Sequence, residues 1–152
     1  KGFRDLQQLG LIAAVPKIIG VQAQTSNALC RALQSGRFSA EPASTVADSI
    51  CVDVPRNGLH ALTQIKNFDG ELVSVSDAEI IQAQARLSAT SGLFTEPAGA
   101  AAFAGFVKIS PRLEPTATVV VLATGNGLKD SASAQLGIKM PERLITTVHD
   151  IL

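Results

Sequence analysis

The chain has no tryptophan or tyrosine, one methionine, two histidines and two cysteines. Cys30 and Cys51 stand apart, with no C-x-x-C pair, and His60 and His149 are the only imidazoles. That leaves no zinc-ligand spacing. Two reduced thiols are the expectation, and a single disulfide is the alternative. No charge of either sign dominates: Lys+Arg and Asp+Glu each number 13, for a formal net charge of zero. A nucleic-acid footprint, which needs a clustered basic excess, is excluded on that ground. No apolar run reaches the roughly 18 residues of a membrane helix. No stretch reads as a signal peptide, so a cytoplasmic setting is expected. Internal repeats and low-complexity tracts are also missing.

What is present is aliphatic. Apolar residues make up 46% of 152 positions, mostly Ala, Val, Leu and Ile. That suffices for one domain with a real core. Residues 17–23 (KIIGVQA) read as a buried strand, residues 71–75 as another, and residues 118–123 as the last central one. Between them lie helical patterns. Phe3, Leu6 and Leu9 share one face; Leu29, Cys30 and Leu33 another; Leu59, Leu62 and Ile65, opened by Asn57, a third. Ser76-Asp77-Ala78-Glu79 is a capping box for a helix that turns Ile80, Ala83 and Leu87 inward. Pro97 takes the first position of a further helix. Its Ala100, Ala101, Ala102, Ala104 and Gly105 permit close packing on several sides. Residues 132–136 predict a helical turn, and Pro141 a terminal helix through Ile151. Residues 37–55 read as an irregular surface excursion, with a brief strand at Ile50-Cys51-Val52. Alternating strands and helices predict a single three-layer α/β domain with a mostly parallel sheet flanked by helices.

No nucleophile–base pair is visible. The histidines read as surface or helix-end residues. Asp48, Asp53, Asp69 and Asp77 sit at turns or caps, where solvation and capping account for them. Two places stand out. Glu96 lies at the mouth of the Ala/Gly helix, where a carboxylate is favourable in any protein. Thr124-Gly125-Asn126-Gly127 ends an apolar run. It is either a tight turn or a nest of amides with a hydroxyl aimed at a ligand. In open α/β sheets, ligands gather at that end of a strand.

Several runs together resemble threonine synthase. They are Lys1-Gly2-Phe3 with Leu6 and Gly10, Pro16-Lys17-Ile18-Ile19-Gly20-Val21-Gln22-Ala23, Thr45-Val46-Ala47-Asp48-Ser49-Ile50 followed by Val54-Pro55-Arg56, and Val75-Ser76-Asp77-Ala78-Glu79-Ile80. Gly92-Leu93-Phe94-Thr95-Glu96-Pro97-Ala98-Gly99-Ala100-Ala101 and Thr124-Gly125-Asn126-Gly127-Leu128-Lys129-Asp130 complete the set, in the family's order. The resemblance implies a fold-type II enzyme (tryptophan synthase β-like) of two α/β domains, with pyridoxal phosphate in the cleft between them. These residues would be the C-terminal part of the large domain. The reaction it implies converts O-phosphohomoserine and water to threonine and phosphate. The residue at Thr124 would bond the pyridine nitrogen, Gly125 would accompany it, and Glu96 would line the pocket.

The resemblance also implies what to look for and not find. The Schiff-base lysine of the family stands in a Ser-Phe-Lys-Asp-Arg type motif, and no lysine here has that context. Lys129 follows the pyridine contact instead. The Gly/Asn-rich loop for the cofactor phosphate is expected upstream of Lys1. The chain therefore reads as a C-terminal piece, inactive and without bound cofactor alone, and self-associating through the face left open. Gln24-Thr25-Ser26-Asn27 replaces the usual Gly/Ala stretch, and Asn126 a common histidine. Both departures leave open a threonine or serine dehydratase or a cysteate synthase, and the missing lysine leaves open a non-catalytic folding or association module.

Overall fold

The computed structural model describes residues 1–139 and 146–150. Its centre is a parallel pair: β1 (Ile19–Ala23) beside β2 (Glu71–Val75), with Ile19 opposite Glu71 and Ala23 opposite Val75. Parallel neighbours need a long crossover. Here it runs through α2 (Ala28–Ser35), a 3-10 turn at Asp48–Ile50 and α3 (Gly58–Asn67). α2 ends on Gly36 in the left-handed region, the usual stop signal.

After β2 comes α4 (Asp77–Ser91), opened by both hydrogen bonds of the capping box. The Ser76 hydroxyl accepts from the Glu79 amide at 3.2 Å, and the Glu79 carboxylate accepts from the Ser76 amide at 2.7 Å. α5 (Pro97–Ile109) lies on both strands and against α4. Its buried face is Gly99, Ala100, Ala101, Ala104, Gly105 and Ile109, small enough for backbones to approach closely. Ala23, Val73, Val75, Ile80, Ala83, Ala100 and Ala104 belong to one buried cluster. The α/β class with a parallel sheet flanked by helices is therefore present.

Other expectations give way. Residues 118–123 form no strand: Val120 is 80% and Leu122 72% exposed. An apolar run is a local property, but a strand exists only through a partner, and among the described residues β1 and β2 pair only with each other. Ile50-Cys51-Val52 is no strand either. The Ser26 hydroxyl accepts from the Val52 amide at 3.0 Å and donates to the Ile50 carbonyl at 3.1 Å, so a side chain does what a ladder would have done. The first strand begins at Ile19 rather than Lys17. Leu33 and Leu59 face solvent, and α1 (Gly2–Gln8) buries no residue.

The excursion at 37–55 is irregular apart from its 3-10 turn, yet it is more than surface. Ala47 is fully buried in the core. Thr45 and Val46 are held by the Asp77 carboxylate, which accepts the Thr45 hydroxyl and, at 3.1 Å, the Val46 amide. Asp77 thus ties a loop to the start of α4, beyond simple capping. α6 (Ser131–Gln135) meets the expected helical turn. Most of the helix expected from Pro141 lies outside the described residues; Val148–Asp150 is a short 3-10 turn.

Candidate functional site

Two chain segments far apart in sequence meet at the entrance of α5. One is Phe94-Thr95-Glu96, the link from α4 to α5. The other is Thr124-Gly125-Asn126-Gly127. Thr95 and Asn126 form an isolated antiparallel bridge. The Glu96 amide donates to the Gly125 carbonyl, and the Gly127 amide to the Phe94 carbonyl, each at 3.0 Å. The Asn126 side chain then accepts from the Leu128 amide at 2.9 Å and starts a 3-10 turn over Gly127–Asp130.

Glycines make the approach possible. A Cβ on Gly99 would overlap the Thr124 carbonyl, so the first turn of α5 is bare where the loop lands on it. Gly125 has φ +56°, and a Cβ there would overlap the Glu96 carboxylate. Both the backbone angle and the space exclude a side chain at that position.

Glu96 is only 8% exposed. One carboxylate oxygen accepts from the Ser49 hydroxyl at 3.2 Å, and the other meets the Lys129 ammonium at 2.9 Å. Its place at the N-cap of α5 adds the favourable end of the helix dipole. Behind it, buried Gln84 of α4 donates from Nε2 to the Thr95 carbonyl at 2.7 Å. The buried Thr95 hydroxyl has no partner among the described residues. Thr124 itself is exposed.

Of the residues singled out from sequence, Glu96, Thr124 and Gly125 therefore come together. His60 and His149 are exposed. Among the described residues no group of three or more His, Cys, Asp and Glu could hold a metal ion, and no helix is long and apolar enough to cross a membrane. Sequence reading missed Ser49 and Gln84 as members of the cluster, and it missed that Lys129 pairs with Glu96. No periodicity links positions 49, 96 and 129, so only the folded chain could reveal them. Next to this cluster, a hollow of about 390 Å³ between α4 and α6 is lined by Gln84, Phe94 and Ile138 among others, but not by Glu96, Thr124 or Gly125.

A sequence profile of the pyridoxal-phosphate dependent enzymes matches residues 1–125. Threonine synthase of Methanosarcina acetivorans is 38% identical over 135 residues, covering 86% of this chain and 33% of the relative. Threonine synthase of Synechocystis sp. is 37% identical over 129 residues, covering 85% of this chain and 32% of the relative. The chain thus spans about a third of the length of these curated relatives. Among solved structures, it is similar to a fungal L-serine ammonia-lyase from Rhizomucor miehei, with a TM-score of 0.63, 26% identity, 82% of this chain and 40% of that one covered. Its fold is also that of Escherichia coli threonine synthase, with a TM-score of 0.60, 20% identity, 84% of this chain and 31% of that one covered.

Proposed function

The chain belongs to the pyridoxal-phosphate dependent enzyme family, and from that premise we propose that it supplies the ring-nitrogen side of the cofactor site of a threonine synthase. The proposed reaction turns O-phosphohomoserine and water into threonine and phosphate, in the cytoplasm. Threonine synthases at 32–38% identity over most of the chain support that assignment.

One observation carries it. Thr124 is exposed on a turn that the two backbone hydrogen bonds of the Thr95–Asn126 bridge fix to the entrance of α5. Its hydroxyl has no protein partner among the described residues, so it is available to a ligand. That group fits a pyridine nitrogen: it is neutral and can donate a hydrogen bond. Bound pyridoxal phosphate supplies an electron sink, which the protein orients. A neutral hydroxyl leaves the ring nitrogen largely unprotonated, tempering that sink and suiting elimination and replacement at the β and γ carbons. Gly125 lets the turn pass close to α5. Glu96 sits beneath the turn with both oxygens engaged, and so shapes the pocket without offering a free charge to it.

The covalent contact to the cofactor comes from residues outside these 152. Lys129 is committed to Glu96, and no lysine of the chain stands in the family's Schiff-base motif. The chain alone is therefore inactive and holds no cofactor. A second reading, a serine or threonine dehydratase, is favoured by the 26% identity to the L-serine ammonia-lyase and by Gln24-Thr25-Ser26-Asn27.

The test is phosphate release from O-phosphohomoserine by the gene product that carries these residues. Ammonia release from serine or threonine, without phosphate release, moves the assignment to the dehydratases. Thr124→Ala in that product lowers kcat by roughly tenfold or more, about 1.4 kcal/mol of barrier. An unchanged rate removes Thr124 from the cofactor site.

A further inference from the structure

We propose that Lys129 is a positioning residue: its ion pair with buried Glu96 latches the Thr124–Gly127 turn onto α5 and so fixes where the Thr124 hydroxyl stands. This rests on the ring-contact reading of Thr124 given above.

The geometry has three parts. The turn enters with Thr124, crosses the Glu96 carboxylate at Gly125, and returns along Gly127–Asp130, which carries Lys129. Lys129 reaches back to Glu96 Oε2 at 2.9 Å, so the ion pair closes a loop around the turn. The Lys129 side chain is 60% exposed but its partner only 10%, so the carboxylate is the group that suffers if the pair is lost. A carboxylate that shielded from water is left uncompensated, and is destabilising, when its cation is removed. The Ser49 hydroxyl, on Oε1, cannot neutralise it.

The second part is economy of contacts. Apart from the ion pair, the turn is held by the Glu96–Gly125 and Gly127–Phe94 backbone bonds, which make up the Thr95–Asn126 bridge, and by buried Gly127 against the Phe94 ring. Backbone bonds at a solvent-facing turn open readily when side chains do not support them. Residues 119–123 before the turn lie in no sheet and offer no anchor. The ion pair is thus the charged contact joining the far end of the turn to the helix entrance.

Third, the same carboxylate joins a third segment. Ser49 belongs to the 3-10 turn at Asp48–Ile50, and Asp77 ties the preceding Thr45 and Val46 to α4. Glu96 is the point where this loop, the α5 entrance and the Thr124 turn meet.

Hydrogen exchange of the 152-residue chain and induced circular dichroism of pyridoxal phosphate in the gene product test the proposal together. In Lys129→Met, the Glu96 and Gly127 amides exchange about tenfold faster, while the Glu79 amide in the capping box is unchanged. Lys129→Arg restores protection. Lys129→Met combined with Glu96→Gln exchanges no faster than Lys129→Met, because the two residues act as one unit. In the gene product, Lys129→Met and Thr124→Ala both weaken the cofactor's induced dichroism. Unchanged exchange in Lys129→Met overturns the latch, whatever the cofactor does. Faster exchange with dichroism intact in Lys129→Met, but lost in Thr124→Ala, overturns the positioning role. Intact dichroism in Thr124→Ala overturns the ring contact, and the positioning role with it, while the exchange result still stands for the ion pair.

Discussion

Gly125 shows most directly how one residue joins backbone geometry to the site. Its φ of +56° is costly for any residue with a Cβ, and the Glu96 carboxylate fills the space a Cβ would need. Gly36 makes a useful contrast, with φ +77° but nothing within 4 Å of its Cβ position. Gly36→Ala should therefore cost about 1 kcal/mol from the backbone alone. Gly125→Ala should cost clearly more, on the order of 2–3 kcal/mol, because the ion pair beneath it must move. Urea denaturation of the two variants checks the order, and equal losses would mean that the turn yields without disturbing Glu96. The glycines of the turn were visible in the sequence. What Gly125 avoids was not, since Glu96 lies 29 positions earlier.

Among the elements, α4 was the most legible, because its start signal is local. Ser76 and Glu79 are three residues apart and complete both capping bonds as their spacing requires. Ser76→Ala should lower stability by about 1 kcal/mol in thermal denaturation. Glu79 also sets a pH dependence. The bond from the Ser76 amide holds its carboxyl below the usual carboxylate range, outweighing partial desolvation, and Lys108 adds to the effect. A carboxyl depressed in the folded state stabilises above the unfolded range of about 4.3, and that contribution fades as pH falls through the folded value. Glu79→Gln should then be less stable than the parent at pH 7 but lose less on acidification below about pH 4. A parallel fall in both proteins would refute the assignment. Besides Ile50-Cys51-Val52, the run at 118–123 was read wrongly: its β-branched residues promise a strand that only a neighbour could complete.

For the molecule as a whole, that same run is the exposed feature of consequence. Val119, Val120 and Leu122 are 41%, 80% and 72% exposed, on a segment that belongs to no ladder. Backbone without a ladder and with exposed apolar side chains is a template for pairing with another chain. The 152-residue protein should accordingly scatter light as a dimer or larger at concentrations on the order of tens of micromolar. Val120→Lys with Leu122→Lys should return it to a 15.8 kDa monomer. A monomeric parent would show that the run is harmless as it stands.

The sequence by itself determined the features that depend on neighbours within a few positions. These are the capping box at Ser76, the proline start of α5, the glycine stops of α2 at Gly36 and of α4 at Gly92, and the polar turn after residue 123. It also carried enough motif order to indicate the family. Tertiary structure alone decided which run became a strand, since a ladder needs a second backbone. It alone buried Ala47 within an irregular segment, and it alone brought Ser49 and Lys129 to the Glu96 carboxylate. Local propensities act over one or two turns of chain; a charge finds its partner only after the core has folded the chain back on itself.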